Sequence, residues 1–85
     1  MFQHINIPNH ELRALIKAGE INLAGNKKLK IFGLLQCSSG KRMMRSNRVF
    51  FLNQEEAQDL GYRPCGNCMK EAYRQWKNQF EMTIP

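Results

Sequence analysis

The chain has 85 residues, enough for one domain but few enough that a hydrophobic core alone leaves it only marginally stable. Hydrophobic residues make up 42% of it, which excludes a disordered tail, and no apolar run reaches the roughly 18 residues needed to cross a bilayer. Its net charge of +6 is unevenly spread: between Glu20 and Glu55 there is no acidic residue, yet Lys27, Lys28, Lys30, Lys41, Arg42, Arg45 and Arg48 fall there, so that segment carries +7 and the remainder −1. Charge of one sign gathered on one segment is the footprint of an anionic partner, most often nucleic acid, although a solvated basic face gives the same pattern.

In chain order, Ile5-Asn6-Ile7 alternates briefly before Pro8, and Asn9 can cap a helix from about His10 to Ala18. Leu12, Leu15 and Ile16 share one face of that helix, and Gly19 stops it. Ile21 to Leu23 reads as a short strand, Gly25-Asn26 as a turn, and Lys30 to Leu35 as a second, largely buried strand. Ser38-Ser39-Gly40 leads as a loop into the basic run. Arg48 to Leu52 is a third strand with Val49, Phe50 and Phe51 supplying its bulk. Asn53 followed by Glu56 resembles a capping box that opens a short helix ending before Gly61. Met69, Ala72, Tyr73 and Trp76 recur at helical spacing, so a last helix packs back on the core, and the tail from Phe80 onward frays. The expected fold class is α+β: a small domain with a short antiparallel sheet flanked by helices.

All the cysteines fall within one stretch of this pattern. Cys65-Gly66-Asn67-Cys68 is a C-x2-C knuckle, with Cys37 far upstream. Two intervening residues let both sulfurs converge on one ion at about 2.3 Å each, which suits tetrahedral zinc. Pro64 fixes the backbone ahead of the knuckle, and Gly66 is read as permitting a backbone angle that a larger residue resists. Three thiols cannot pair into disulfides without leaving one over. With no secretory signal visible, they point to a reducing, cytoplasmic setting. Reduced cysteines packed as small hydrophobes are the plain alternative. Phe50, Phe51, Tyr73 and Trp76 read as core rather than as base-stacking platforms. SSGKRMMRSNR offers amides, hydroxyls and cations suited to phosphate oxygens, with Lys41, Arg42, Arg45 and Arg48 as the contacts and Arg63 beside the knuckle as a further one. Ser39-Gly40-Lys41 lacks the earlier glycine of a nucleotide-binding loop.

These residues resemble the zinc-binding amino-terminal domain of Ada, the bacterial methylphosphotriester DNA repair and regulatory protein. The anchors are Ile31-Phe32, Cys37, Asn47-Arg48-Val49-Phe50-Phe51, Glu56-Ala57 and Gly61-Tyr62-Arg63-Pro64-Cys65-Gly66-Asn67-Cys68, so the match covers about residues 27 to 69 of a single 1–85 domain. The resemblance implies a zinc site of C-x3-C…C-x2-C form in which the first cysteine is also the methyl acceptor. Laid on this chain, Cys37 is the second cysteine of the first pair, Cys65 and Cys68 are the second pair, and the acceptor position falls on Gly33. Glycine has no thiolate, so both the fourth sulfur and the family's nucleophile are missing there.

Four thiolates on a divalent ion leave the site at −2 and make sulfur a good nucleophile, whereas three thiolates with a neutral imidazole leave it at −1. His4, in an extended segment, is the first candidate for the fourth ligand, His10 the second, and a water would instead leave an open position. The leading expectation is therefore a zinc-folded module that binds double-stranded DNA without catalysis. One alternative is methylphosphotriester repair by methyl transfer to zinc-bound Cys37; another is a zinc-folded protein-interaction domain.

Overall fold

The computed structural model describes residues 1–37 and 43–83, with side chains through residue 78. The expected loop at Ser38-Ser39-Gly40 and the predicted phosphate contacts Lys41 and Arg42 lie outside the described residues. The rest folds around a five-stranded sheet of order β1-β4-β2-β3-β5. Its strands are β1 (Phe2–Gln3), β2 (Leu23–Asn26), β3 (Ile31–Leu34), β4 (Arg48–Phe51) and β5 (Arg63–Pro64). The helices are α1 (Asn9–Lys17), α2 (Gln54–Asp59) and α3 (Lys70–Thr83), with short 3-10 turns at His4–Asn6 and Arg45–Asn47.

Every pairing is antiparallel except the β3–β5 edge, which is parallel. The all-antiparallel expectation fails there because the chain reaches β5 through α2 rather than through a hairpin. Pro64 sits in this edge without loss, since the N–H donors to β3 come from its neighbours: Arg63 to the Lys30 carbonyl at 2.9 Å and Cys65 to the Phe32 carbonyl at 2.7 Å.

Pleating divides the core between the two faces of the sheet. Val49, Phe51, Leu23 and Phe32 point to one side, where Ala57 of α2, Tyr62 and Met69 cover them. Phe50 and Ala24 point to the other, where they meet Ile7, Ile21 and the Leu12 and Leu15 side chains of α1. Phe50 and Phe51 are thus core, as expected, one to each face. Tyr73 and Trp76 are half-buried and stack on each other, with ring centres 6.0 Å apart.

Several local expectations are corrected. His4, expected in an extended segment, begins a 3-10 turn through Asn6, because the β1 pairing ends at Gln3. Pro8, not Asn9, is the residue before α1, and no side chain caps the helix. Ile16 is exposed, the buried stripe of α1 being Leu12 and Leu15. Gly25 and Asn26 lie within β2; the turn follows them, held by Lys28 and Leu29 N–H donors to the Asn26 side-chain oxygen at 2.9 and 3.0 Å, and Lys30 takes the positive φ of 59° that closes it. Helix α3 continues through Phe80 to Thr83. At α2 the N-cap half of the expected capping box is present: the Asn53 Oδ1 accepts from the Glu56 N–H at 2.8 Å, while the Glu56 carboxylate pairs with the Met1 amine at 3.0 Å. Gly19, at a φ of +78°, ends α1 as its position foretells.

Candidate metal centre

The cysteines meet because the sheet brings two distant pieces of chain side by side. The β3–β5 pairing sets Cys65 beside Gly33, and a tight turn after β3 folds Cys37 back, its N–H donating to the Leu34 carbonyl at 3.1 Å. The knuckle itself is closed by the Met69 N–H on the Cys65 carbonyl at 3.1 Å, just ahead of α3. Gly66 plays no special backbone part here: its φ is not positive, and a Cβ on it would make only ordinary contact with Tyr73, at 3.6 Å.

The sulfurs of Cys37, Cys65 and Cys68 all lie within 4.8 Å of one another. Tetrahedral zinc with bonds of about 2.3 Å needs sulfurs about 3.8 Å apart, so a modest contraction of the cluster accommodates an ion. Backbone amides already point at the sulfurs. Leu34 N–H donates to the Cys68 sulfur at 3.3 Å and Asn67 N–H to the Cys65 sulfur at 3.4 Å. Such donors stabilise thiolate charge and orient metal ligands.

Without a cation the Cys68 thiol resists ionising. Burial above all pushes the Cys68 thiol up to about 11, and the Cys37 and Cys65 sulfurs beside it add to the shift while the Leu34 amide opposes it. A divalent ion reverses that balance, since it offsets the gathered negative charge and takes the place of the protons. The donor set therefore fits a thiophilic metal ion. Among the described residues, the cluster contains no fourth Cys, His, Asp or Glu.

Gly33 borders this cluster directly. A Cβ on it would stand 2.7 Å from the Cys68 sulfur and 3.1 Å from the Cys65 Cβ, so a side chain at this position would press directly on both cysteines.

The histidines are elsewhere. His4 follows β1, at the opposite edge of the sheet, three strand spacings or about 14 Å from β3. Its ring packs edge-on against Phe50 with centres 5.2 Å apart, so the structure does not bring it to the cysteines as a ligand. His10 lies exposed in α1 and is likewise absent from the cluster.

The described basic residues of the acid-free segment, together with Arg63, gather at one end of the sheet. The register pairs Asn26 with Arg48 and Ile31 with Arg63, and the Lys27 N–H donates to the Asn47 carbonyl at 2.7 Å. The turn bearing Lys27, Lys28 and Lys30 therefore lies alongside Arg48 and the 3-10 turn of Arg45. Several of these guanidinium groups also have structural work. Arg45 donates to the Ile7 carbonyl at 2.9 Å, Arg48 to the Leu35 carbonyl at 3.3 Å, and Arg63 to the Pro64 carbonyl at 3.1 Å while lying over the Tyr73 ring. The lysine turn belongs to the basic segment but is not among the contacts expected from sequence; the charge run signals it, while its neighbours depend on strand register.

Among known families, residues 17–71 match the one described as the metal binding domain of Ada, a span of well over half the chain. Neither the curated proteins nor the solved structures yield a match.

Proposed function

Because the chain belongs to the family of the Ada metal-binding domain, we propose that it binds one zinc ion through Cys37, Cys65 and Cys68 and holds duplex DNA by its backbone, without methyl transfer. The observation that carries the reading is the cysteine cluster, which joins two distant parts of the chain and sits on the strand pair that also bears Lys30 and Arg63. The zinc supplies a stabilising staple and keeps the thiolates deprotonated. Lys27, Lys28, Lys30, Arg45, Arg48 and Arg63, with Lys41 and Arg42, supply the cations that meet phosphates.

Gly33 is read as occupying the family's acceptor position. The nearness of its missing side chain to the Cys65 and Cys68 atoms supports that alignment, and a glycine offers nothing to methylate. Cys37, on the far side of the same short segment, is the remaining thiol of that pair. Intact-mass measurement after incubation with methylphosphotriester DNA is expected to return an unchanged chain. A mass gain of one methylene localised to Cys37 would restore the repair reading.

DNA binding is tested by measuring duplex affinity across a salt series. The logarithm of affinity should fall linearly with the logarithm of salt, with a slope of about 0.9 per phosphate neutralised. Changing exposed Lys28 and Arg45 to Gln should lower that slope by about 1 to 2. An absence of binding at low salt, or a slope unmoved by both changes, defeats the DNA reading while leaving the metal site untouched.

A further inference from the structure

Three side chains able to carry positive charge converge beside Phe50 from separate pieces of chain. The β1–β4 register, Gln3 opposite Val49, brings His4 next to Arg48. The His4 ring packs edge-on to the Phe50 ring with centres 5.2 Å apart, and the Arg48 guanidinium lies 5.3 Å from the centre of that same ring. Arg45 comes from its own 3-10 turn, its Nη2 donating to the Ile7 and His4 carbonyls at 2.9 and 3.4 Å. The His4–Asn6 turn packs on β4 and on the Arg45–Asn47 turn, and the ionisable groups of these elements are His4, Arg45 and Arg48 themselves. Lys27 is joined to them through its backbone bond to Asn47, no acid stands on any of them, and the Met1 amine is taken by Glu56.

Like charges gathered without a counter-ion repel, and an anion between them removes that cost. Among the described residues, His4 Nδ1 and Arg48 Nε are buried with no hydrogen-bond partner. Arg45 is exposed while His4 and Arg48 are half-buried, so the group is open to solvent. Burial first, then the charges of Arg45 and Arg48, keeps the His4 pKa below the ordinary 6.5 in the free chain.

We propose that His4, Arg45 and Arg48 form one anion site for a phosphodiester of the duplex backbone, and that His4 takes up a proton as the phosphate binds. The inference rests on the DNA reading above and adds to it a contact from outside the basic run of sequence. The proton comes from solvent, and no covalent bond of the phosphate changes. One negative charge beside the two guanidinium groups favours imidazolium and raises the His4 pKa; each unit of that rise is worth a tenfold gain in affinity. Affinity therefore climbs as the pH falls through the DNA-bound pKa of His4 and levels off beneath the free value.

The test follows the imidazole ring protons of the full chain, purified without chelator, by NMR between pH 7.5 and 5.5. Spectra are taken alone, with a saturating short duplex at low salt, and with inorganic phosphate. The chain has two histidines, so exposed His10 is the internal reference. The duplex should raise the His4 pKa by about one unit and move His10 less. Arg45→Gln should raise the His4 pKa in the free chain and shrink the rise that the duplex causes, which a merely structural histidine would not show. His4→Gln should abolish a gain of about tenfold in duplex affinity over this pH range, and His10→Gln should keep it. A bound duplex that moves His4 no more than His10 overturns the site and leaves the DNA reading standing. A response to inorganic phosphate without one to duplex overturns the backbone as the source of the anion. No duplex binding at low salt, with His4 unmoved by phosphate, removes both readings together.

Discussion

His4 lies beside two cations. Its ring is partly buried against Phe50, and burial first, then the charges of Arg45 and Arg48, hold its pKa below the ordinary 6.5. Its Nδ1 has no hydrogen-bond partner among the described residues. The unfolded chain therefore takes up this proton at a higher pH than the folded chain does. Stability from His4 is complete above about pH 6.5 and is lost as the pH falls below it, levelling off beneath the folded value. Urea unfolding of the zinc-loaded chain at pH 7.5 and 5.5 should show His4→Gln losing less stability than wild type over that interval. Equal losses would contradict the placement. At this scale the cysteines were legible, because C-x2-C spacing is itself a ligand geometry. The partner of His4 was not: nothing in a single histidine tells whether it faces an ion or a phenylalanine that pairing brings from the distant β4.

At the scale of elements, β2 is the constrained one, being central and flanked by β3 and β4. A Cβ on Gly25 would meet the Phe51 ring at 2.8 Å, the Ile31 carbonyl oxygen at 3.0 Å and the Val49 side chain at 3.3 Å. The carbonyl is fixed by strand pairing and the ring by the core, so Gly25→Ala should destabilise by about 1–3 kcal/mol. Denaturant unfolding showing no loss would contradict the packing. Asn53→Ala should cost about 1 kcal/mol by freeing the Glu56 N–H at the start of α2, read in the same experiment. The strands around Phe32 and Phe50 and all three helices were readable from apolar pattern and turn residues. Gly25-Asn26 was not, because glycine and asparagine mark turns locally, whereas here close packing of Phe51 selects the glycine and the side chain of Asn26 builds the turn that follows. The two-residue edge strands β1 and β5 carry no periodic signal at all; they are defined by their partners.

For the molecule as a whole, two small cores lie on either side of a short sheet, and Met69, next to the knuckle, packs against one of them. A metal ion bound by Cys37, Cys65 and Cys68 ties the knuckle to β3, and its binding free energy is folding free energy. Removing it with a strong chelator should lower the unfolding midpoint and first release the β3–β5 edge, seen as faster amide exchange at Arg63 and Cys65. The exposed Lys27 and Lys28 at the basic end of the sheet, by contrast, should matter for DNA affinity and hardly for stability. Native mass spectrometry of the chain purified without chelator tests the central claim most directly. The account predicts one zinc per chain, with Cys37→Ser, Cys65→Ser and Cys68→Ser each depleting it; a folded chain carrying no metal would contradict it.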